Sequence, residues 1–101
     1  MKKFKDLKKD DIFYGSFIAS PLDAPQTQYE ILPIKVNYLE KLEGGFAKGI
    51  VIHGVQINLN KKNHKLNLFV YNHEIGKSIV SNYLSTDYKL LEKKLKNENL
   101  Q

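Results

Sequence analysis

Short segments in which apolar and polar residues alternate constrain the fold of this chain more than any other feature of its sequence. In residues 32–38, Leu, Ile, Val and Tyr occupy every second position, with polar residues or proline between them. This period of two is typical of a strand that buries one face. Turn residues separate this segment from others of similar length, and we expect about five strands, at 12–18, 32–38, 50–59, 66–70 and 78–83.

The composition limits this chain to one small globular domain without cysteine chemistry. With 101 residues, 42% of them hydrophobic, we expect one domain over residues 1–101. No apolar run approaches the roughly 20 residues that cross a membrane, and no apolar segment follows the basic residues at the start. Because cysteine is absent, thiol nucleophiles, disulfides and thiolate metal sites are excluded. We therefore expect a cytoplasmic protein that does not contact membranes.

Pro33 and a change of parity in the third strand predict irregularities in the sheet. Pro33 lacks a backbone N–H, which places its strand at an edge of the sheet or next to a bulge near the start of the strand. Ile50 and Ile52 differ in parity from the later apolar residues of their segment, so we expect a β-bulge at His53-Gly54. The alternation then predicts a hairpin with three facing apolar pairs, which are Val55 and Val70, Ile57 and Leu68, and Leu59 and Leu66.

Residues 86–97 have the pattern of an α-helix. The segment Ser85-Thr86-Asp87 supplies an N-cap and a carboxylate for the first turn. Apolar residues follow at helical spacing, and they form a stripe of Leu84, Tyr88, Leu91 and Leu95. A short isolated helix is unstable in water, so we expect the stripe to dock on the rest of the domain. Self-association through the stripe, or a partner that covers it, is the alternative.

The residues that lead into the first strand form a short motif, Leu7-Lys8-Lys9-Asp10-Asp11-Ile12-Phe13-Tyr14. It resembles the opening "Leu-Lys-x-Gly-Asp-x-hydrophobic-Tyr" of SH3-like and KOW-like small β-barrels. Asp10 stands in place of the glycine, and aspartate is among the residues that tolerate a left-handed backbone. Residues 83–87 and the Lys-rich helix after them are similar to the end of small barrel proteins from Bacteroidetes-type bacteria and their mobile elements.

The resemblance implies a mainly β fold. It is a small, partly open SH3-like barrel of about five strands over residues 5–83, followed by the one C-terminal helix. Such barrels bind peptides, RNA or other proteins, so the resemblance implies binding and no single activity.

No combination of polar residues in the sequence matches a catalytic or metal-binding motif. His53, His73 and Glu74 come nearest to a metal site, yet their spacing matches no ligand pattern. No serine lies in the context of a nucleophile elbow, and Gly44-Gly45 is too short for a phosphate-binding loop. We expect no enzyme activity, no catalytic residue, no metal and no cofactor.

Lysines concentrate at both ends of the chain and single out one candidate binding surface. Residues 1–9 hold five Lys and one Asp, and residues 61–101 hold eight Lys and four acidic residues. The most compact cluster lies at the tip of the predicted hairpin, beside aromatic residues of the returning strand; the candidate surface is Lys61, Lys62, Lys65, Phe69 and Tyr71. The hairpin pattern turns Phe69 away from the core, where either the terminal helix covers it or it stays exposed.

These observations favour a non-enzymatic binding module. A protein partner is the leading interpretation, in a phage or mobile-element setting. Binding of RNA or single-stranded DNA through the Lys-rich surface is the alternative. All 16 basic residues are lysine, so such binding would show little base preference, because arginine provides the bidentate contacts to bases. We expect a monomer or a weak homodimer.

Overall fold

The computed structural model describes residues 2–18, 29–44, 48–57, 64–80 and 83–99. A 3-10 turn (Phe4–Asp6) precedes six strands and one helix, which are β1 (Ile12–Ile18), β2 (Tyr29–Leu42), β3 (Gly49–Gln56), β4 (His64–Tyr71), β5 (Ile79–Val80), β6 (Leu84–Ser85) and α1 (Tyr88–Asn99). The strands form one antiparallel sheet in the order β4-β3-β2-β1-β6-β5. The sheet curls into a half-barrel, which confirms the mainly β fold with one C-terminal helix.

The structure has six strands where the sequence predicted about five. The difference lies in residues 78–83, which were expected to form one strand. The chain reverses there, because the Tyr83 N–H donates to the Val80 carbonyl at 3.2 Å, and two short strands pair with each other. The helix begins at Tyr88, two positions after the expected start at residue 86.

The inner face of the half-barrel holds the hydrophobic core. Alternate residues of the strands meet there, as when Phe13 of β1 lies opposite Ile34 of β2. The turn before β1 closes the core, because the ring of Phe4 packs edge-on against Phe13 with centroids 5.9 Å apart, and Leu7 is 3% exposed. The buried cluster comprises Phe4, Leu7, Phe13, Ile34, Val36, Ile52, Val70 and Val80.

The bulge of the sheet lies in β2, so the predicted bulge at His53-Gly54 of β3 is wrong. Val36 lies opposite Gly54 and Tyr38 lies opposite His53, which leaves Asn37 as the extra residue. The register shift therefore occurs beside the predicted position, on the neighbouring strand. A bulge inserts one residue into only one of the two paired strands, and the alternation in β3 did not show which.

Pro33 lies in an interior strand, so its predicted edge position is wrong, and so is a bulge near the start of its strand. β2 pairs with β1 on one side and with β3 on the other. The Pro33 carbonyl accepts a hydrogen bond from the Ile57 N–H at 2.9 Å, just beyond the end of β3. In an antiparallel sheet, the N–H and C=O of one residue point toward the same neighbouring strand. The N–H that Pro33 lacks would therefore also have pointed toward Ile57, beyond the end of β3. Proline therefore removes no bond between these two strands.

The register of the hairpin β3–β4 also differs from the prediction. Ile50 lies opposite Val70 and Ile52 lies opposite Leu68, whereas Val55 lies opposite Lys65. Without a bulge in β3, Ile50 and Ile52 keep the inner face, and Val55 turns to the outer face. The predicted inner residues of β4 are correct, since Leu66, Leu68 and Val70 all pack in or against the core. Leu59 lies outside the described residues.

The helix α1 packs on the outer face of the sheet, against β1, β2 and β6. Its Tyr88 ring lies edge-on against Tyr14, with centroids 5.4 Å apart, and Tyr14 faces away from the core side of β1. Leu91 is fully buried and Leu95 is 7% exposed, which confirms that the stripe docks on the domain. Leu84 does not belong to the stripe, because it lies in β6 and packs against the inner core.

Asp87 caps this helix from the position before its first residue, so the predicted place of its carboxylate in the first turn is wrong. Its Oδ1 accepts a hydrogen bond from the Leu90 N–H at 3.1 Å, the geometry of an N-cap residue. Within the described ranges, no helix combines the length and the apolar character needed to cross a membrane.

Candidate binding surface

The outer face of the sheet divides into a part that α1 covers and a part that it leaves open. The helix packs on β1, on β6 and on the start of β2, where Glu92 and Leu95 line one depression with Tyr29 and Ile31. The outer faces of the later part of β2, of β3 and of β4 lie beyond it. Two tyrosines on the open part expose about half of their surface, Tyr38 at 57% and Tyr71 at 48%. We call this region the outer patch, defined as Tyr38, Glu40, His53, Asn67, Phe69 and Tyr71.

His53 is the fixed centre of the outer patch. Tyr38 and Asn67 lie directly opposite it on the two neighbouring strands. The Tyr38 ring stacks on the imidazole, with centroids 4.2 Å apart and an angle of 15° between the planes. The imidazole Nε2 lies 2.9 Å from Oε1 of Glu40, and Nδ1 lies 2.9 Å from Oδ1 of Asn67. Both ring nitrogens therefore have partners within the patch, and the ring is held on one face as well.

This arrangement determines which hydrogen-bonding roles the side chains can take. An ionised carboxylate only accepts, so Nε2 of His53 donates to Glu40. If the imidazole is protonated, Nδ1 also donates and Asn67 accepts through its carbonyl oxygen. If the imidazole is neutral, Nδ1 accepts, and Asn67 must present its NH₂ group instead. Either form leaves His53 without a free nitrogen for a metal.

His73 lies in a different environment from His53. It belongs to the turn after β4, where its ring stacks on Tyr71 with centroids 5.7 Å apart. Its Nε2 is 3.8 Å from the Glu74 carboxylate. Among the residues that the structure describes, no three or more potential metal-binding side chains come together.

Three of the five predicted surface residues share the outer face of β4. Lys65, Phe69 and Tyr71 occupy alternate positions of the strand, and the Phe69 and Tyr71 rings are in edge-on contact with centroids 4.7 Å apart. Phe69 faces away from the core, as predicted, and lies opposite Val51. The main contacts of the helix are with β1, β2 and β6, and Phe69 is half-buried. Lys61 and Lys62 lie outside the described residues.

Four members of the outer patch were not predicted from the sequence to belong to a binding surface, and they are Tyr38, Glu40, His53 and Asn67. The alternation over 32–38 placed Tyr38 on the buried face together with Val36. The extra residue Asn37 reverses the parity, so that Tyr38 turns outward and Leu39 packs against the core. An apolar residue directly after a strictly alternating segment, as Leu39 is, was the available signal for this reversal.

The patch combines ring faces with fixed polar groups, and Lys65 lies at its border. A shallow depression of about 260 Å³ lies between Tyr38, His53 and Lys65. Such a surface can bind by ring contact and hydrogen bonding, and its described residues present no nucleophile beside a free base. No family model, curated protein or solved structure matches this chain.

Proposed function

We propose that this chain is a non-enzymatic module that binds another protein, and that the outer patch is its contact surface. The observation that carries the proposal is the exposure of Tyr38 and Tyr71 on a sheet face that the helix leaves open. Tyrosine is enriched in protein interfaces because its ring provides apolar contact area and its hydroxyl forms hydrogen bonds.

The side chains of the outer patch are held in place by their neighbours, which supports this proposal. Tyr38 is stacked on His53, which is itself held through both nitrogens. Tyr71 lies between the rings of Phe69 and His73. Side chains that are already held in place lose less conformational freedom when a partner binds, so more of the contact energy contributes to affinity.

Photo-crosslinking tests the proposal. A photoreactive phenylalanine analogue at position 71 should give discrete protein adducts in cells of the native host. The same analogue at position 89, an exposed position on α1, is the matched control and should give none. The Tyr38→Ala variant should remove the adducts from position 71 while the chain stays folded by circular dichroism. Equal adducts from both positions, or none from position 71, would contradict the proposal.

Nucleic-acid binding is the second candidate function. Lys65 shares a strand face with Phe69 and Tyr71, and the combination of cations with exposed rings is typical of surfaces that bind single strands. If this function holds, affinity for single-stranded RNA or DNA should fall steeply with salt and show little base preference. Reversal of charge at Lys61, Lys62 and Lys65 should abolish it. The absence of a complex at low salt would leave the protein partner as the proposed ligand.

We also propose a fold family, a cellular location and a genetic origin for this chain. We infer a relationship to the SH3-like barrels, supported by the left-handed backbone of Asp10, where the barrel motif has glycine. We also infer a cytoplasmic location, with which the absence of cysteine is compatible, in a phage or mobile-element setting. Cell fractionation of the native host with an antibody against the chain tests the location.

A further inference from the structure

We propose that the ligand of the outer patch is an extended acidic peptide, which joins the sheet as an additional strand at the open edge of β4. This inference rests on the proposed protein-binding function and specifies the shape and charge of the partner. It depends on the backbone of β4, whereas the function proposed above depends on the ring faces.

The outward groups of β4 follow from its pairing with β3. The Asn72 N–H donates to the Lys48 carbonyl at 2.9 Å, in the same register as the strands themselves. Because successive residues of a strand direct their N–H and C=O groups to opposite sides, the even-numbered residues of β4 bond to β3. The odd-numbered residues therefore direct theirs to the open edge.

Lys65, Asn67 and Phe69 leave these groups unpaired. β4 ends the strand order, and within the described part of the chain these three residues have no backbone partner on the open side. At the next odd position, the Tyr71 carbonyl already accepts from the Glu74 and Ile75 N–H groups. The open edge is thus three alternate residues long and ends where the chain turns.

β4 lacks most of the features that protect edge strands. It runs for eight residues without proline and pairs with β3 without a register shift. Lysine is one common protection, and β4 has Lys65 near its start. The turn at the N-terminus does not cover the edge, because its bonds go to the Ile75 and Lys77 carbonyls, beyond the end of β4. Among the residues that the structure describes, no backbone group pairs with this edge, and an edge of this kind is a template for an added strand.

The charge of the chain favours an acidic peptide over a second copy as the occupant. β4 contains Lys65 and no acidic residue, and the whole chain carries a net charge of +5. A second copy would bring the same charge to the same edge, which opposes association at low salt. An acidic residue of an added strand can meet Lys65, and its apolar residues can meet Phe69 and Tyr71 on the outer face. In strand addition, backbone bonds supply affinity and alternate side chains supply specificity.

A pair of variants at Asn67 isolates the backbone contribution. Asn67→Ala and Asn67→Pro both remove the side chain that contacts His53, but only proline also removes the N–H at the open edge. Proline is tolerated there because that N–H makes no bond to β3. The probe is a fluorescein-labelled heptapeptide in which residues 1, 3, 5 and 7, which share one face of a strand, are Val, Tyr, Glu and Glu, with Thr between them, and the control peptide has Lys in place of Glu.

The acidic peptide should bind saturably at low salt, and the lysine peptide should not. Asn67→Pro should weaken binding by about tenfold or more relative to Asn67→Ala, through the lost hydrogen bond and the bulk of the ring. Equal affinity of the two variants, or no saturable binding to the parent chain, would overturn the proposal. A concentration-dependent dimer in light scattering that Asn67→Pro abolishes would also overturn it, because the occupant would then be a second copy.

Amide hydrogen exchange of the parent chain provides a second measurement, should Asn67→Pro fail to fold. The N–H groups of Lys65, Asn67 and Phe69 should exchange fast in the free chain and slow down at least about tenfold with the acidic peptide bound. Protection limited to other regions would refute strand addition. If the parent chain does not bind the acidic peptide, while the host adducts from position 71 persist in the Asn67→Pro variant, the proposed function stands and this inference does not.

Discussion

At the scale of single residues, Asp10 carries the backbone conformation that usually belongs to glycine. Its φ of 72° is in the left-handed region. Asp10 is the only residue other than glycine, in the part of the chain that the structure describes, with a positive φ. The Asp10 N–H donates to the Val36 carbonyl at 2.8 Å, which fixes the turn against β2. The resemblance to the barrel opening predicted this conformation from the sequence, because the motif has glycine at the same place.

Substitutions at Asp10 separate the backbone conformation from the charge. Asp10→Ala should lower the free energy of unfolding by about 1 kcal/mol, because alanine tolerates a positive φ poorly. Asp10→Asn should cost less than about 0.5 kcal/mol, since asparagine tolerates this conformation and the exposed pair with Lys35, at 3.5 Å, contributes little. Urea unfolding measures both values. Equal losses in the two variants would attribute the effect to the ion pair instead.

Asp11 makes the stability of the same turn depend on pH. The Lys2 ammonium and the Lys8 N–H donate to its carboxylate at 2.7 and 2.8 Å, and chiefly the Lys2 bond lowers the pKa of Asp11 below the usual 3.8. A lowered pKa stabilises the fold at pH values above the unfolded pKa, and this stabilisation is lost as the pH falls through the folded value. Asp11→Asn should therefore differ most from the parent chain near neutral pH.

Urea unfolding at a series of pH values tests this expectation. The difference between the parent chain and Asp11→Asn should shrink as the pH falls below about 4. Lys2→Ala should reduce the same pH dependence, because it removes the main cause of the lowered pKa. A difference that stays constant between pH 7 and pH 3 would show that the carboxylate charge has no role.

At the scale of elements, β2 shows where pattern analysis succeeds and where it fails. The alternation through Val36 predicted the buried face correctly, because a strand has the same period along its length. The single extra residue, Asn37, has no distinctive chemistry and was not recognisable as a bulge in one sequence. Its consequences reach β3 and β4, where the predicted bulge and the predicted register were both wrong. Strand pairing depends on residues far apart in the chain, and local periodicity does not contain that information.

Gly54 is required because the bulge brings two backbones close together. A Cβ at this position would lie 2.9 Å from the Lys35 carbonyl oxygen and 3.0 Å from a methyl group of Ile34. Gly54→Ala should therefore cost about 1–3 kcal/mol, since the backbone of β2 cannot move without disturbing its pairing. Gly44→Ala is the matched control, because a Cβ there meets nothing within 4 Å and the substitution should be neutral or slightly stabilising. Thermal unfolding of both variants compares them, and equal losses would be inconsistent with the close approach.

At the scale of the whole molecule, two apolar layers share one sheet. The inner core lies on one face, and α1 packs Leu91 and Leu95 on the other, over β1, β2 and β6. The sequence predicted both the strands and a docking helix, because each has its own short period. It did not predict which face the helix covers. In the candidate surface, Lys65, Phe69 and Tyr71 could be predicted to share a face because they occupy odd positions of one strand. Tyr38 and His53 lie together only because β2 pairs with β3, which local periodicity does not reveal.

Leu91 tests the second layer. Leu91→Ala should lower the free energy of unfolding by about 2–5 kcal/mol, as for other fully buried leucines. Lys93→Ala, at an exposed position of the same helix, should change it by less than about 0.5 kcal/mol. Chemical denaturation with light scattering measures stability and association together. A stable Leu91→Ala monomer would mean that the helix does not contribute to the fold in solution.

The position of β6 beside β1 has a consequence for the order of events during synthesis and folding. Gly15 pairs with Leu84, so one side of β1 acquires its neighbour only after the intervening residues up to Leu84 have been made. The ring of Tyr14 likewise waits for Tyr88. Pairing across such a distance is slower than closure of a hairpin, because loop closure comes before the contacts that compensate for it. On the ribosome, the side of β1 that faces β6 therefore stays unpaired after the hairpin with β2 is able to form.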